Sequence, residues 1–346
     1  MFQNWLSGRE WDATVHWIAD HQRSDGAIPW FPGGKMDPWD HVECVMALTV
    51  AQRYDAAKAG FRYLANTQDA DGAWAAASFA DEIIDPTRDT NHAAYLAAGL
   101  WHYYRGSRDV DFLAEMWPTL DRAIDFVLRL QDESGAIWWG MDDKGNVWPA
   151  PLLTGCSSIH GSLLCAVRIA ALLDHDKPAW SSAHVRLGSL LRNGDEFFAN
   201  APVVDPVGHY SMDWYYPILG GAIRGAAAHS RLEQGRPTFL DAVDAGIGCR
   251  CVIDRPWYTA AETCELIMAL DACGLVDEAQ WLFEWVHTLR EEDGGYWTGI
   301  THPDRILWPE ERPTWTAASV ILAADTLTGD SPTSSFFRDL GAAERP

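Results

Sequence analysis

Hydrophobic positions along the chain follow two alternating patterns, both of helical period. In the first, apolar residues keep to one face. Residues 118–131 gather Leu120, Ala123, Ile124, Val127 and Leu128, while Asp121, Arg122, Asp125 and Arg129 fall mostly elsewhere. Residues 53–67 and 277–290 behave alike. One-sided amphipathicity of this kind belongs to a helix that covers a core and faces water. In the second pattern, residues 92–101, 218–229 and 317–328 are apolar nearly all round and rich in Ala and Gly. Such helices are walled in on every side.

Two recurring phrases join these segments. One is a helix end, then Gln or Glu, an acidic–Gly turn and aromatics, seen at 22–30, 68–74, 131–139 and 291–297. Its glycine suits the left-handed cap that ends a helix. The other is a polar or aromatic cluster leading into an apolar helix. It occurs at 39–43, 89–92, 157–160, 211–216, 257–262 and 313–316. Repeats at this spacing point to stacked helix pairs. An open α-solenoid uses the same pairs. Closure is favoured because the inner helices lack a polar concave face and the clusters lie only at their leading ends. The expectation is an all-α fold, an (α/α)6 toroid of alternating inner and outer helices, forming one catalytic domain over residues 1–346. Residues 193–208, with Pro202 and Pro206, read as a loop.

Charge narrows the function. With a net charge of −23 and no basic stripe, the chain is a poor partner for nucleic acid or an anionic membrane. No run of about 18 apolar residues predicts a membrane span, and the first residues lack the features of a signal peptide. The 7 cysteines read as reduced core residues, and the expected compartment is the cytoplasm. Cys249 and Cys251 do not have a common zinc spacing. No Gly-rich phosphate loop or serine nucleophile elbow is present. No cofactor and no metal is expected. The 19 tryptophans exceed what a core needs and suit a groove that stacks on sugar rings.

The leading ends of six inner helices would converge on one mouth, and their free N–H groups favour carboxylates there. Single acids at such places serve as caps; a group of them in an aromatic pocket is a candidate site. Asp40 and Glu43 are three apart and share a face, with Asp37 just before them; Glu262 and Glu265 repeat the spacing. Glu262 stands in a charge-free run, where desolvation would suit it to be a general acid. Glycoside hydrolysis needs two such carboxylates, one to protonate the leaving oxygen and one to activate water or attack the sugar. Glu262 as acid and Asp40 as base form the leading pair, with Asp213 and Asp37 as rivals. Expected substrate contacts are Trp30, Trp39, His41, Glu43, Asp89, Asn91, His92, His160, Trp214, Tyr215, Tyr258, Trp297 and Trp315, and the expected partner is an oligosaccharide. Asp109 and Asp111 open an outer helix and read as dipole compensation.

Two resemblances arise at these residues. The turns at 22–26 and 68–72, each with a Trp soon after, resemble the repeat turns of the terpene cyclase and prenyltransferase superfamily, also an α/α toroid. The Asp-x-Asp-Asp motif of squalene-type cyclases is missing. The clusters at 39–43 and 258–262 resemble the mouth of the six-fold α/α glycosidases. Among these the chain is similar to the mycobacterial methylmannose polysaccharide hydrolases. That resemblance implies a cytosolic endo-mannosidase that cleaves internal α-1,4 bonds between 3-O-methylmannoses. The competing readings are an isoprenoid enzyme, a non-catalytic sugar-binding toroid, and a sugar epimerase working through His41, His92 and His160.

Overall fold

The computed structural model describes residues 5–80, 82–203, 205–240 and 246–341. Outer and inner helices alternate along them. Outer α1 (Gly8–Asp20) leads to inner α2 (Pro38–Val50), and outer α3 (Tyr54–Thr67) to inner α4 (Thr90–Ser107). Outer α5 (Val110–Arg129) leads to inner α6 (Leu153–Leu172). Outer α7 (Pro178–Asn193) and the short α8 (Asp195–Ala199) precede inner α9 (Met212–Leu219). Outer α10 (Gly225–Phe239) leads to inner α11 (Ala260–Ala272), and outer α12 (Val276–His287) to inner α13 (Thr314–Thr328). A short α14 (Phe336–Asp339) follows.

The inner helices touch in cyclic order: α2 on α4, α4 on α6, α6 on α9, α9 on α11, α11 on α13, and α13 back on α2. The ring is therefore closed, and the open solenoid is excluded. Every residue of α2 from His41 to Val50 is buried, as all-round apolarity requires. In α5 one stripe is buried, including Leu113, Met116, Leu120, Ala123, Ile124 and Val127. By length and composition α6 alone among the described residues could cross a bilayer, but it is a largely buried member of this ring.

The repeated turn is a staple between neighbouring outer helices. Gln22 donates to the Gly26 carbonyl and, across the turn, to that of Ala56 on α3, both at 3.0 Å. Gln68 does the same to Gly72 and Thr119, and Gln131 to Gly135 and Ala183. Gly26 has φ of 98°, and a Cβ there would stand 2.2 Å from the Ala59 carbonyl oxygen. Only glycine meets both demands. In the fourth copy Gly294 abuts Ala13 of α1, so the last turn docks on the first helix and closes the outer layer.

Several local expectations are corrected. Residues 218–229 are not one inner helix: α9 ends at Leu219, residues 220–224 turn, and α10 begins an outer helix. The Ser157–His160 cluster lies inside α6, which starts at Leu153, rather than ahead of it. Residues 193–208 contain α8. Small sheets also decorate the mouth. Strands β1 (Lys35–Met36), β2 (Ala75–Phe79), β3 (Glu82–Asp89), β4 (Gly140–Met141) and β5 (Val147–Trp148) form an antiparallel sheet in that order. Strands β6 (Trp257–Thr259) and β7 (Gly299–Thr301) pair separately. Strands β1, β3 and β6 run into, or stop just short of, the leading ends of α2, α4 and α11. They set where each inner helix begins.

Candidate active site

The acids are placed by helix starts. Asp37 caps α2, and its Oδ1 accepts the amide N–H of Asp40 at 2.9 Å. Its Oδ2 accepts the Trp30 indole N–H at 2.9 Å. Burial pushes the Asp37 carboxyl up, but His92 beside it and these hydrogen bonds outweigh that, and it stays below the usual range. Asp40 moves the other way. Burial first, then the charges of Asp37 and Glu43, hold its proton well above the usual carboxylate range, with Lys35 opposing. The two acids thus differ in proton affinity although they are three residues apart.

One turn deeper lies a layer of carboxyls bonded to tyrosines. Glu43 is 3% exposed and accepts the Tyr95 hydroxyl at 2.5 Å. Burial pushes its pKa up to about 7, against the pull of that bond. Across the ring, Glu265 accepts the Tyr215 hydroxyl at 2.5 Å and also that of Tyr216. Burial and then the charge of Glu43 raise Glu265 well above the usual range. Glu43 and Glu265 therefore feel each other across the ring axis. Glu262 stands one turn above Glu265 on the same face of α11. The Cys251 thiol donates to its Oε1 at 3.2 Å, while Oε2 is shielded and has no partner among the described residues. Asp40 relates to Glu43 as Glu262 relates to Glu265, each one turn nearer the leading end of its inner helix.

Aromatic rings surround them. Trp39 stacks on Tyr95 with centroids 4.7 Å apart. Trp30 packs against Trp315 at 5.7 Å, and the Lys35 ammonium lies 3.7 Å from the Trp30 ring centre. Asp89 caps α4 through the amides of Asn91 and His92. Beside them, a cavity of about 730 Å³ runs between the leading ends of α4, α6 and α9 and includes Asp89 and Asn91 in its wall. The Trp139 and Trp148 rings are stacked at 4.6 Å on its rim.

Other expected contacts point elsewhere. His41 is fully buried; its Nδ1 accepts the Ile28 amide and its Nε2 meets the Gly60 carbonyl. Burial lowers its pKa to about 4, so it is a neutral tie between α2 and α3 and not a sugar contact. His160 faces His184 on α7 and the Gly220 carbonyl, and burial lowers it to about 3. Trp214 bonds the Arg231 carbonyl and stacks on Phe239, on the outer side of α9. Trp297 bonds Glu291 within its own turn and is covered by Arg312. Tyr258 is buried under Arg250. Tyr215 is buried and serves Glu265. Asp213, a rival catalytic acid, spends both oxygens on structure: Oδ1 takes the Thr154 amide and hydroxyl at the start of α6, and Oδ2 takes the Gly208 amide. The contacts expected from sequence leave out Tyr95, Tyr216, Cys251 and Trp148. Tyr216 closes the cluster at 211–216, Cys251 is weighed from sequence only as a zinc ligand, and Trp148 stands amid prolines after a turn.

No protein-family model matches the chain. It is 45% identical over 325 residues to the MMP endo-(1,4)-3-O-methyl-alpha-D-mannosidase of Mycolicibacterium hassiacum, an alignment covering 94% of this chain and 88% of that one. Among solved structures, a wild-type glycosidase superposes with a TM-score of 0.70 at 16% identity, covering 92% of this chain and 97% of that one. A D-mannose isomerase gives 0.68 at 11% identity over 92% and 96% of the two chains. The cellobiose 2-epimerase of Spirochaeta thermophila gives 0.67 at 14% identity over 92% and 94%. At such low identity these three speak for the shared toroid alone.

Proposed function

The chain belongs to the family of the MMP endo-(1,4)-3-O-methyl-alpha-D-mannosidases and is a glycoside hydrolase, and on that premise we propose that it cleaves internal α-1,4 bonds between 3-O-methylmannoses, with Asp40 and Glu262 as the reacting acids. The observation that supports the pair is the two-storey arrangement. Glu43 and Glu265 sense each other across the axis, and the pair stands one helical turn above them on the same faces.

The structure's electrostatics favour an exchange of the roles expected from sequence. Asp40 is the acid that keeps its proton, because burial and the charges of Asp37 and Glu43 oppose ionisation. It is suited to protonate the departing glycosidic oxygen. Glu262 has one oxygen fixed by Cys251 and the other unpartnered. That oxygen is shielded from solvent; once substrate reaches it, it suits a base that takes a proton from water or a nucleophile that meets the sugar carbon. Trp30, Trp39 and Trp315 supply stacking faces at the mouth. The cysteines are unpaired, which fits a reducing compartment, and we place the reaction in the cytoplasm.

The test compares Glu262→Gln and Asp40→Asn on a 3-O-methylated α-1,4-manno-oligosaccharide and on an aryl glycoside with a good leaving group. Glu262→Gln should bind the oligosaccharide yet lose turnover on both substrates by at least about a thousandfold. Asp40→Asn should lose turnover on the oligosaccharide but keep most of it on the aryl glycoside, which leaves without protonation. The opposite pattern returns the acid role to Glu262. Full activity of either variant removes that residue from the mechanism.

A further inference from the structure

The cavity between α4, α6 and α9 has a composition that polysaccharide binding alone does not require. Its wall includes Ile137, Trp139, Trp148, Leu152 and Met212 and is predominantly apolar. The Leu152 side chain is left 38% exposed at the rim. An ordinary sugar carries a hydroxyl on nearly every carbon. A hydroxyl set against these apolar side chains would give up hydrogen bonds to water without a partner, which disfavours it there, although Asp89, Asn91, Asp205 and Tyr210 also line the cavity. A methyl ether removes the donor and adds a group that gains from burial. Asn91 is part of the wall, and its Oδ1 is shielded from solvent with no hydrogen-bond partner among the described residues.

We propose that this hollow is the site that distinguishes methylated from unmethylated mannan, with the stacked Trp139–Trp148 pair receiving the 3-O-methyl groups and Asn91 accepting a remaining hydroxyl. The inference rests on the hydrolase reading above and deepens it. The volume of about 730 Å³ is within the range that takes small ligands or a few sugar units. Its position is also right. Asn91 is adjacent in sequence to His92, whose ring acts on Asp37, the neighbour of Asp40. The cavity wall and the first of the acids therefore meet at the leading end of α4. The Trp139 and Trp148 rings are held nearly parallel, 11° apart, by the short β4–β5 ladder. The platform is set before any ligand arrives.

The experiment uses two α-1,4-linked manno-oligosaccharides of equal length, one 3-O-methylated and one not, against the wild type, Trp148→Ala and Leu152→Ser. Leu152 lies at the rim, so its replacement leaves the core intact, and thermal melting checks that both variants fold. The wild type should favour the methylated substrate in kcat/KM by about tenfold or more, the usual worth of a methyl group in an apolar pocket. Both variants should lose most of that preference through a KM that rises more on the methylated substrate than on the unmethylated one. Equal losses on both substrates, or no loss on either, overturn the proposal. Saturation-transfer NMR with the methylated oligosaccharide separates this inference from the hydrolase reading. Stronger transfer to methoxy than to ring protons, abolished in Trp148→Ala, upholds the subsite even if no bond is cleaved. Methoxy signals unchanged in that variant overturn it.

Discussion

Replacing Glu43 with Gln should stabilise the protein at neutral and alkaline pH and leave it unchanged in acid. The Glu43 carboxyl is buried, its one hydrogen bond among the described residues is from Tyr95, and its pKa is raised from 4.5 to about 7. Because the folded state holds this proton more tightly than the unfolded chain, the stabilisation is complete below pH 4.5 and is lost as the pH rises toward 7. A shift from 4.5 to about 7 is worth about 3 kcal/mol at roughly 1.4 kcal/mol per unit. Gln mimics the protonated form and can still accept the Tyr95 hydroxyl, so the variant avoids that cost. An unfolding entropy of about 2.1 cal/mol/K per residue over 346 residues turns 3 kcal/mol into about 4 °C. The groups facing Glu43 are Tyr95, Tyr216, Glu265 and Asp40. Removing its charge also relieves Glu265, which adds to the effect with the same sign. The assay is the melting temperature of variant and wild type in matched buffers from pH 5 to 8. Taking the difference cancels carboxylates such as Asp109 and Glu115, which are held low by Lys58 and Arg62. A gap that stays constant or narrows as the pH rises refutes the reasoning.

Two further outcomes follow from close contacts. A Cβ on Gly220 would lie 1.9 Å from the Ser157 backbone oxygen, where α9 crosses α6; Gly220→Ala should cost about 3 kcal/mol in a urea titration, and a loss below about 1 kcal/mol would show that the helices can part without penalty. Cys251→Ala removes the thiol that fixes Glu262 Oε1 and should lower kcat by about tenfold to a hundredfold with KM unmoved. Cys251→Ser should restore most of the loss, and a change confined to KM would mean that the thiol does not position the carboxylate.

The period of the apolar positions made the toroid legible, because the difference between one-sided and all-round burial is written directly into each helix. The i, i+3 spacing likewise exposed the pairs Asp40–Glu43 and Glu262–Glu265. Phase was harder to read. His41 follows Asp40 directly, and the rotation of about 100° per residue turns it out of the mouth toward Gly60. Trp214 and Tyr215 are adjacent yet serve opposite walls, one against Phe239 and the other against Glu265. His160 was misplaced because nothing in the residues before it marks Leu153 as the start of α6; that end is capped from a distance by Asp213. The rim sheet left no alternating pattern. Strand β3 has the adjacent pair Ile83 and Ile84 and a proline, and it is a strand because β2 and β4 lie beside it.

The two storeys of carboxyls also explain one another. An ionised carboxylate one turn below Asp40 or Glu262, roughly 6 Å away, would act on it with about 3 kcal/mol at an effective dielectric near 20. A charge on Glu43 adds to the hold on the Asp40 proton. Three tyrosine hydroxyls lie against the lower pair; burial keeps the proton on Glu265 and brings Glu43 to a pKa of about 7. Near neutral pH the lower storey thus carries less than one charge, all of it on Glu43, and none beneath Glu262. Asp40 is set apart by Asp37 and Glu43, and Glu262 by the thiol of Cys251. The pair proposed at this mouth gains from a floor of reduced charge, because the closed ring gathers more carboxylates around its axis than the proposed chemistry can use in charged form.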